Sequence, residues 1–179
     1  MNSKTQKTLQ WYVITGGPSS GKTTLLNELA LSGFHVVPEA ARVLIDRYNT
    51  QGISTQELRK DEGKFQKKAL RIKLETEKKT PKDRVVFFDR GVPDSIAYYE
   101  ICDLDIKELM KISKGRYAKI FFLEQLPFEK DYARTECEET VEKLNDKLKK
   151  TYIELGYSVV DIPVGSVEER LKRIFIEIE

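Results

Sequence analysis

A chain of 179 residues has room for one domain with a full core, because domains cluster at roughly 100 to 150 residues and two halves would both be small. Charged residues make up 34% against a usual ~25%, yet 40% are hydrophobic, which excludes general disorder and sends the surplus charge to surfaces and lids. With 31 basic and 29 acidic residues the net charge is only +2, so no global basic field gathers nucleic acid and none is expected as a partner.

The longest apolar runs, such as Val85-Val86-Phe87-Phe88 and Ile120-Phe121-Phe122-Leu123, fall far short of the ~20 residues that span a bilayer. Residues 1–10 are polar and lack the apolar stretch of a secretory signal. Cys102 and Cys137 have no zinc-like spacing and read as ordinary thiols in a reducing cytosol. A cytoplasmic protein without a membrane span is expected.

In chain order, the apolar run 11–14 ends in Thr15-Gly16-Gly17 and predicts a buried strand stopped by glycine. Leu25, Leu26 and Leu29 share one face of a predicted helix over 22–31, with Gly33 where a C-terminal glycine would end it. A strand over 34–37 is broken by Pro38, and 39–48 repeats at helical spacing. Ser54 with Glu57 forms a capping box for one long helix running to Lys79, with Leu58, Phe65, Ala69, Ile72 and Leu74 on its stripe. Residues 57–84 hold 11 basic and 6 acidic side chains, an excess of five that reads first as a solvated helical face.

The run 85–88 suits a central parallel strand ending at Asp89. Short helices are expected over 94–102 and 105–113, and a buried strand over 117–123. Residues 124–146 hold 8 acidic and 3 basic side chains and few apolar anchors, which reads as a lid, at about 125–140, leading into a helix that Gly156 ends. The basic and acidic segments are expected to flank one polarised cleft. A last strand over 157–162 and a terminal helix capped by Ser166 and Glu169 complete one domain over 1–179. The whole reads as an α/β three-layer sandwich on a five-stranded parallel sheet, with binding at the carboxyl ends of the strands.

At the first such end, Gly16-Gly17-Pro18-Ser19-Ser20-Gly21-Lys22-Thr23 fits the phosphate-cradling pattern G-x-x-x-x-G-K-[ST] in full, and Thr24 follows it. The glycines let the loop wrap with its N–H groups inward, and the helix starting near Lys22 aims its positive end at the same anion. Lys22 is expected on the β- and γ-phosphates of ATP or GTP, and Thr23 on Mg²⁺. Asp89, ending its strand, is the second candidate for the metal, with Arg90 pointing into the same pocket; a turn residue and a surface charge are the plain alternatives.

Glu39, after Pro38, is placed to take or hold the proton of an acceptor hydroxyl, or simply to favour a helix N-terminus. Arg42, one turn on, is expected to pair with it or touch substrate. Arg134 in the lid is the candidate cation that arrives on closure, with Lys130 a weaker rival. His35 reads as a core or edge residue. The loop Pro163-Val164-Gly165 is expected to hold the base.

Together these residues resemble the P-loop small-molecule kinases, an AAA-like group, and more narrowly the family containing the ribosylnicotinamide kinase domain of the bacterial NAD regulator. The resemblance rests on the Gly16 to Thr23 loop, Pro38-Glu39-Ala40-Ala41-Arg42, Phe65-Gln66, Phe88-Asp89-Arg90-Gly91-Val92-Pro93-Asp94, Pro127 leading to Asp131 and Arg134, and Glu168-Glu169-Arg170. It implies strand order 2-3-1-4-5, a lid, and Glu39, Asp89 and Arg90 at the acceptor hydroxyl, with Arg42 and Asp94 in the substrate site. The resemblance does not supply the acceptor; the expectation drawn from all these residues is an Mg²⁺-dependent kinase moving the γ-phosphoryl of ATP or GTP to a hydroxyl of a small nucleoside-like metabolite. The family also includes a eukaryotic GTP- and phosphatidic-acid-binding trafficking protein, so the rival expectation is a GTP-binding regulatory module with slow hydrolysis and no acceptor. No Asn-Lys-x-Asp guanine signature follows a strand. A homodimer is left open.

Overall fold

A computed structural model describes residues 9–126 and 138–178. Five strands, β1 (Trp11–Thr15), β2 (His35–Val37), β3 (Val86–Asp89), β4 (Lys119–Leu123) and β5 (Val159–Ile162), form one sheet in the order β2-β3-β1-β4-β5, and every neighbouring pair is parallel. This is the order implied by the resemblance. All five residues of β1 are buried, because a central strand with helices on both faces has no polar side to show. Successive side chains alternate between two cores. Tyr12 and Ile14 pack with Leu25, Leu29, Phe87 and Phe121 on one face, while Trp11 and Val13 pack with Val86, Phe88, Ile120 and Tyr152 on the other.

The helices are α1 (Lys22–Leu31), α2 (Ala40–Asn49), α3 (Thr55–Leu58), α4 (Glu62–Lys79), α5 (Asp94–Ile101), α6 (Lys107–Ile112), α7 (Glu138–Glu154) and α8 (Val167–Ile178). Helix α8 lies beside α1 on the first face, and α7 beside α5 on the second. The histidine of β2, His35, is exposed on an edge strand. Among the described residues no helix is long and apolar enough to cross a membrane.

One expected element is two. The Ser54 hydroxyl accepts from Glu57 N at 3.1 Å, as the capping box requires, but the helix it starts ends at Leu58. Asp61 then accepts from Lys64 N at 2.9 Å and opens α4. A short polar side chain bonds nearby backbone more readily outside a helix than within one, so a second cap signal within the same charged stretch begins a new helix. The cleft is also less polarised than the local charge excess implies. Lys64, Lys67, Lys68, Arg71, Lys78 and Lys79 of α4 are exposed, and Lys73 is the α4 lysine turned inward. The surplus is a solvated face.

Because the sheet is wholly parallel, the loops after all five strands emerge on one edge. The predicted lid straddles the gap in the described residues; its last three positions already belong to α7.

Candidate functional site

The loop after β1 is shaped by backbone requirements. Gly16 has φ +138° and approaches β4 so closely that a Cβ would lie 2.5 Å from Leu123 O; Gly21, at φ +81°, turns the chain into α1. Ser19 also takes a left-handed conformation, φ 61°. Lys22 Nζ reaches back inside the loop and donates to Gly16 O at 2.9 Å, Gly17 O at 2.5 Å and Ser20 Oγ at 3.0 Å. Burial, and then the neighbouring Arg90, pull its pKa down to about 7. Pro18 and Ser19 are half-buried on the loop crest, and the hydroxyl-bearing Thr23 and Thr24 are exposed in the first turn of α1.

Arg170 of α8 holds this loop from behind. It is buried and donates to Ser20 O at 2.8 Å, Pro163 O at 3.1 Å and Glu124 O at 3.2 Å, joining the phosphate loop to the ends of β5 and β4. Nothing local in the sequence announces this role, since its partners lie as far as 150 positions away.

Beside the loop, β3 delivers Asp89 and Arg90. Asp89 Oδ1 is buried with no hydrogen-bond partner, and burial, reinforced by Glu39, pushes the carboxyl pKa up to about 6. Arg90 has φ 62°, a conformation that costs an arginine of order 1 kcal/mol, so the surroundings must over-determine it. They do. Gly91 N donates to Asp94 Oδ2 at 2.7 Å, Val92 N donates to the Tyr117 hydroxyl at 2.8 Å, and Lys73 Nζ donates to Gly91 O at 2.9 Å and Ser95 Oγ at 3.0 Å. A Cβ at Gly91 would come within 2.8 Å of Tyr117 and of the Tyr152 hydroxyl, which leaves glycine as the residue that fits.

The guanidinium so placed donates from Nε to Glu39 Oε1 at 3.0 Å and meets Asp94 Oδ1 at 3.4 Å, and it lies over the Tyr98 ring, 5.7 Å from its centroid. Glu39, expected at the acceptor or as a helix charge, therefore joins Arg90 rather than capping α2, where its side chain makes no cap bond. Asp94 is fully buried. It also accepts from Thr15 Oγ1 at 2.5 Å and from the Tyr152 hydroxyl, and its link to the cavity lined by Arg90 is the contact with that guanidinium. Removing one partner of a buried ion pair strands the other. Asp94→Ala should accordingly cost about 3–5 kcal/mol in urea unfolding, against under ~0.5 kcal/mol for Ala at exposed Arg42. A loss below ~1 kcal/mol would show that Arg90 does not depend on Asp94.

Two cavities open on this edge. The first, about 310 Å³, is lined by Glu39, Arg42, Phe65, Gln66, Arg90 and Tyr98 among others, with Lys73 on its wall. The structure thus brings Glu39, Arg42 and Arg90 together and adds Lys73 and Tyr98, which sequence reasoning missed. The second, about 410 Å³, is bounded by Pro163, Val164, Gly165, Glu169, Arg170 and Ile176, on the other side of the loop. Arg134 and Lys130 lie outside the described residues.

Strand order, phosphate loop and the edge they share define the fold as that of a P-loop kinase-like α/β protein. The chain belongs to the AAA domain family, whose profile matches residues 11–170. Among solved structures it is similar to NadR protein in complex with NR, at TM-score 0.59 and 22% identity over 87% of this chain and 46% of that one. It is also similar to shikimate kinase from Aquifex aeolicus, at TM-score 0.60 and 18% identity over 94% and 95%. Deoxyadenosine kinase from M. mycoides aligns at TM-score 0.61 and 17% identity over 94% and 97%. The chain spans about half the length of the NadR chains it matches. Curated proteins yield no significant match.

Proposed function

We propose that this protein transfers the γ-phosphoryl group of ATP or GTP to a hydroxyl of a small, nucleoside-like metabolite. The observation that carries the proposal is the Glu39–Arg90 pair, 3.0 Å apart, on the wall of a cavity beside a complete phosphate loop. A pure nucleotide switch needs the Pro163–Gly165 cavity for its base but has no use for this one. In this reading Gly16 to Thr24 cradle the phosphates, Lys22 meets the β- and γ-oxygens, and the base lies in the cavity at Pro163, Val164 and Gly165.

The acceptor oxygen bonds to the γ-phosphorus as the bond from that phosphorus to the bridging oxygen breaks, and the nucleoside diphosphate leaves. The hydroxyl proton passes to Glu39 or Asp89. Arg90 and Arg42 orient the acceptor, Asp94 acts through Arg90, and Arg134 supplies charge to the transferring group. The aromatic rings of Phe65 and Tyr98 suit a ring-bearing acceptor.

Mg²⁺ fits the residues present. Asp89 Oδ1 is an unspent buried oxygen and Thr23 offers a hydroxyl, a donor set that suits an ion held by one or two side chains and the phosphates. When bound, the ion neutralises charge developing between the β- and γ-phosphates. Asp89→Asn should retain the fold but reduce the gain in triphosphate affinity on adding Mg²⁺ in calorimetric titrations, with Thr23 and the phosphates left to hold the ion; an undiminished Mg²⁺ response would remove Asp89 from the metal site.

The test of the function is to incubate the protein with ATP or GTP and a panel of nucleosides, vitamins and sugars and to weigh the products by mass spectrometry. The expected result is a phosphate-sized mass increase in one acceptor class. Slow hydrolysis with every acceptor unmodified would favour the regulatory GTP-binding module instead.

A further inference from the structure

One polar side chain in the wall of the Glu39–Arg90 cavity has no part in the mechanism above. Gln66 of α4 is only 7% exposed, and it lines that cavity. Its Nε2 donates to Glu62 Oε1 at 2.8 Å, and Glu62 in turn takes two hydrogen bonds from Arg59, Nε to Oε2 and Nη2 to Oε1, each 2.9 Å. The bonds from Arg59 hold the Glu62 carboxyl below its ordinary pKa, so it is ionised and only accepts. The two ends of the carboxamide are thereby told apart: the nitrogen has to face Glu62, and the carbonyl oxygen has to face away. That oxygen has no hydrogen-bond partner among the described residues, and it is not sealed in the interior as the partnerless Asp89 Oδ1 is. It opens on the cavity that Gln66 lines.

Water serves such an oxygen in the free cavity. A ligand that expels the water and offers no donor leaves a buried acceptor unmade, at a cost of about 1–3 kcal/mol, so a fixed carbonyl in the wall discriminates between ligands. Its surroundings say what carries the donor. Phe65, the neighbour of Gln66 in the chain, and Tyr98 put aromatic rings on the same wall. Proteins that hold a single base use this combination, aromatic or apolar side chains against the ring and hydrogen bonds to its edge. We infer that Gln66 selects the acceptor by taking a hydrogen bond from an N–H on its ring, and that the acceptor is a nucleoside whose base carries an amino group or a ring N–H. The inference deepens the acceptor reading proposed above and rests on it. Gln66 acts as a specificity-determining residue, with Glu62 and Arg59 setting the direction of its amide.

The test is calorimetric titration of the wild-type chain, with Mg²⁺ and the imido analogue of ATP or GTP present, using the four ribonucleosides and purine riboside, whose sugar is the same but whose base has no N–H. At least one of the four should bind about 10- to 100-fold more tightly than purine riboside, the scale of one buried hydrogen bond left unmade. Gln66→Met, close in volume, should bring that nucleoside within about threefold of purine riboside, while affinities for purine riboside and for the imido analogue stay within about twofold. A mere prop of Glu62 would move all the affinities together. Purine riboside bound as tightly as the best of the four, a preference that survives in Gln66→Met, or no nucleoside bound at all would overturn the inference. If Gln66→Met fails to fold, Glu62→Gln leaves the amide free to turn over and should narrow the same preference; an unchanged preference would again overturn it. The mass survey separates the two claims. A sugar or vitamin phosphorylated while no nucleoside binds keeps the phosphotransfer and removes Gln66 as its selector, whereas nucleosides bound and no acceptor phosphorylated removes the phosphotransfer instead.

Discussion

Lys22→Ala should weaken triphosphate binding by ~10³-fold, to below detection in a calorimetric titration, while leaving the fold intact. The size follows from removing one partner of a desolvated charge pair, which costs about 2–5 kcal/mol, and each 1.4 kcal/mol is a tenfold change. The fold should survive because Lys22 is anchored to Gly16 O, Gly17 O and Ser20 Oγ rather than to the core, and Leu25, Leu26 and Leu29 of the same helix do the packing. Burial already presses the ammonium pKa down to about 7, so its removal relieves a desolvated charge in the free protein. Retained affinity would mean that the loop's amides and the α1 dipole hold the phosphates unaided.

Glu39→Gln should do the reverse: triphosphate affinity nearly unchanged, turnover down by ~10²-fold or more. A general base contributes on that scale, and the amide keeps the shape and a hydrogen bond to Arg90 while losing the capacity to take a proton. Glu39 lines the proposed acceptor cavity and makes no hydrogen bond to the phosphate loop among those described; its charge is felt at Lys22 and raises the ammonium pKa, but it stands behind burial and Arg90 among the influences there. Wild-type turnover would reduce Glu39 to a partner that orients Arg90, and would leave Asp89 as the group receiving the proton.

The two substitutions divide the site along a line that was partly visible before any coordinates. The phosphate loop was legible because its chemistry is local: glycines, lysine and threonine at fixed spacing between a strand and a helix. The strands were legible because a parallel sheet covered on both faces reads as unbroken apolar runs. Their order came through the resemblance. Less legible was the α3–α4 break, where Asp61 outcompeted a continuous amphipathic stripe. The basic surplus of α4 was real in the sequence, yet a charge count does not say which way a side chain points.

What holds Arg90 was not legible at all. Asp94 meets Tyr152 across 58 positions and Thr15 across 79, and such contacts leave no periodicity or spacing to read. The same holds for Lys73, for Tyr117 behind Val92, and for Asn145 against Gly17. Lys73 and Asn145 come from α4 and α7 and Tyr117 from the segment before β4, and sequence analysis assigned none of the three an individual role. They decide whether the catalytic candidates are held in one geometry.

The central claim is that the γ-phosphoryl group goes to an acceptor in the Glu39–Arg90 cavity. Its fate can be followed directly by phosphorus NMR of the protein turning over ATP or GTP with an acceptor found in the mass survey. The account predicts that the γ-phosphorus signal reappears as a phosphate monoester, at a rate that rises with acceptor concentration and falls ~10²-fold in Glu39→Gln. Reappearance as inorganic phosphate alone, at a rate indifferent to acceptor and to Glu39, would contradict it.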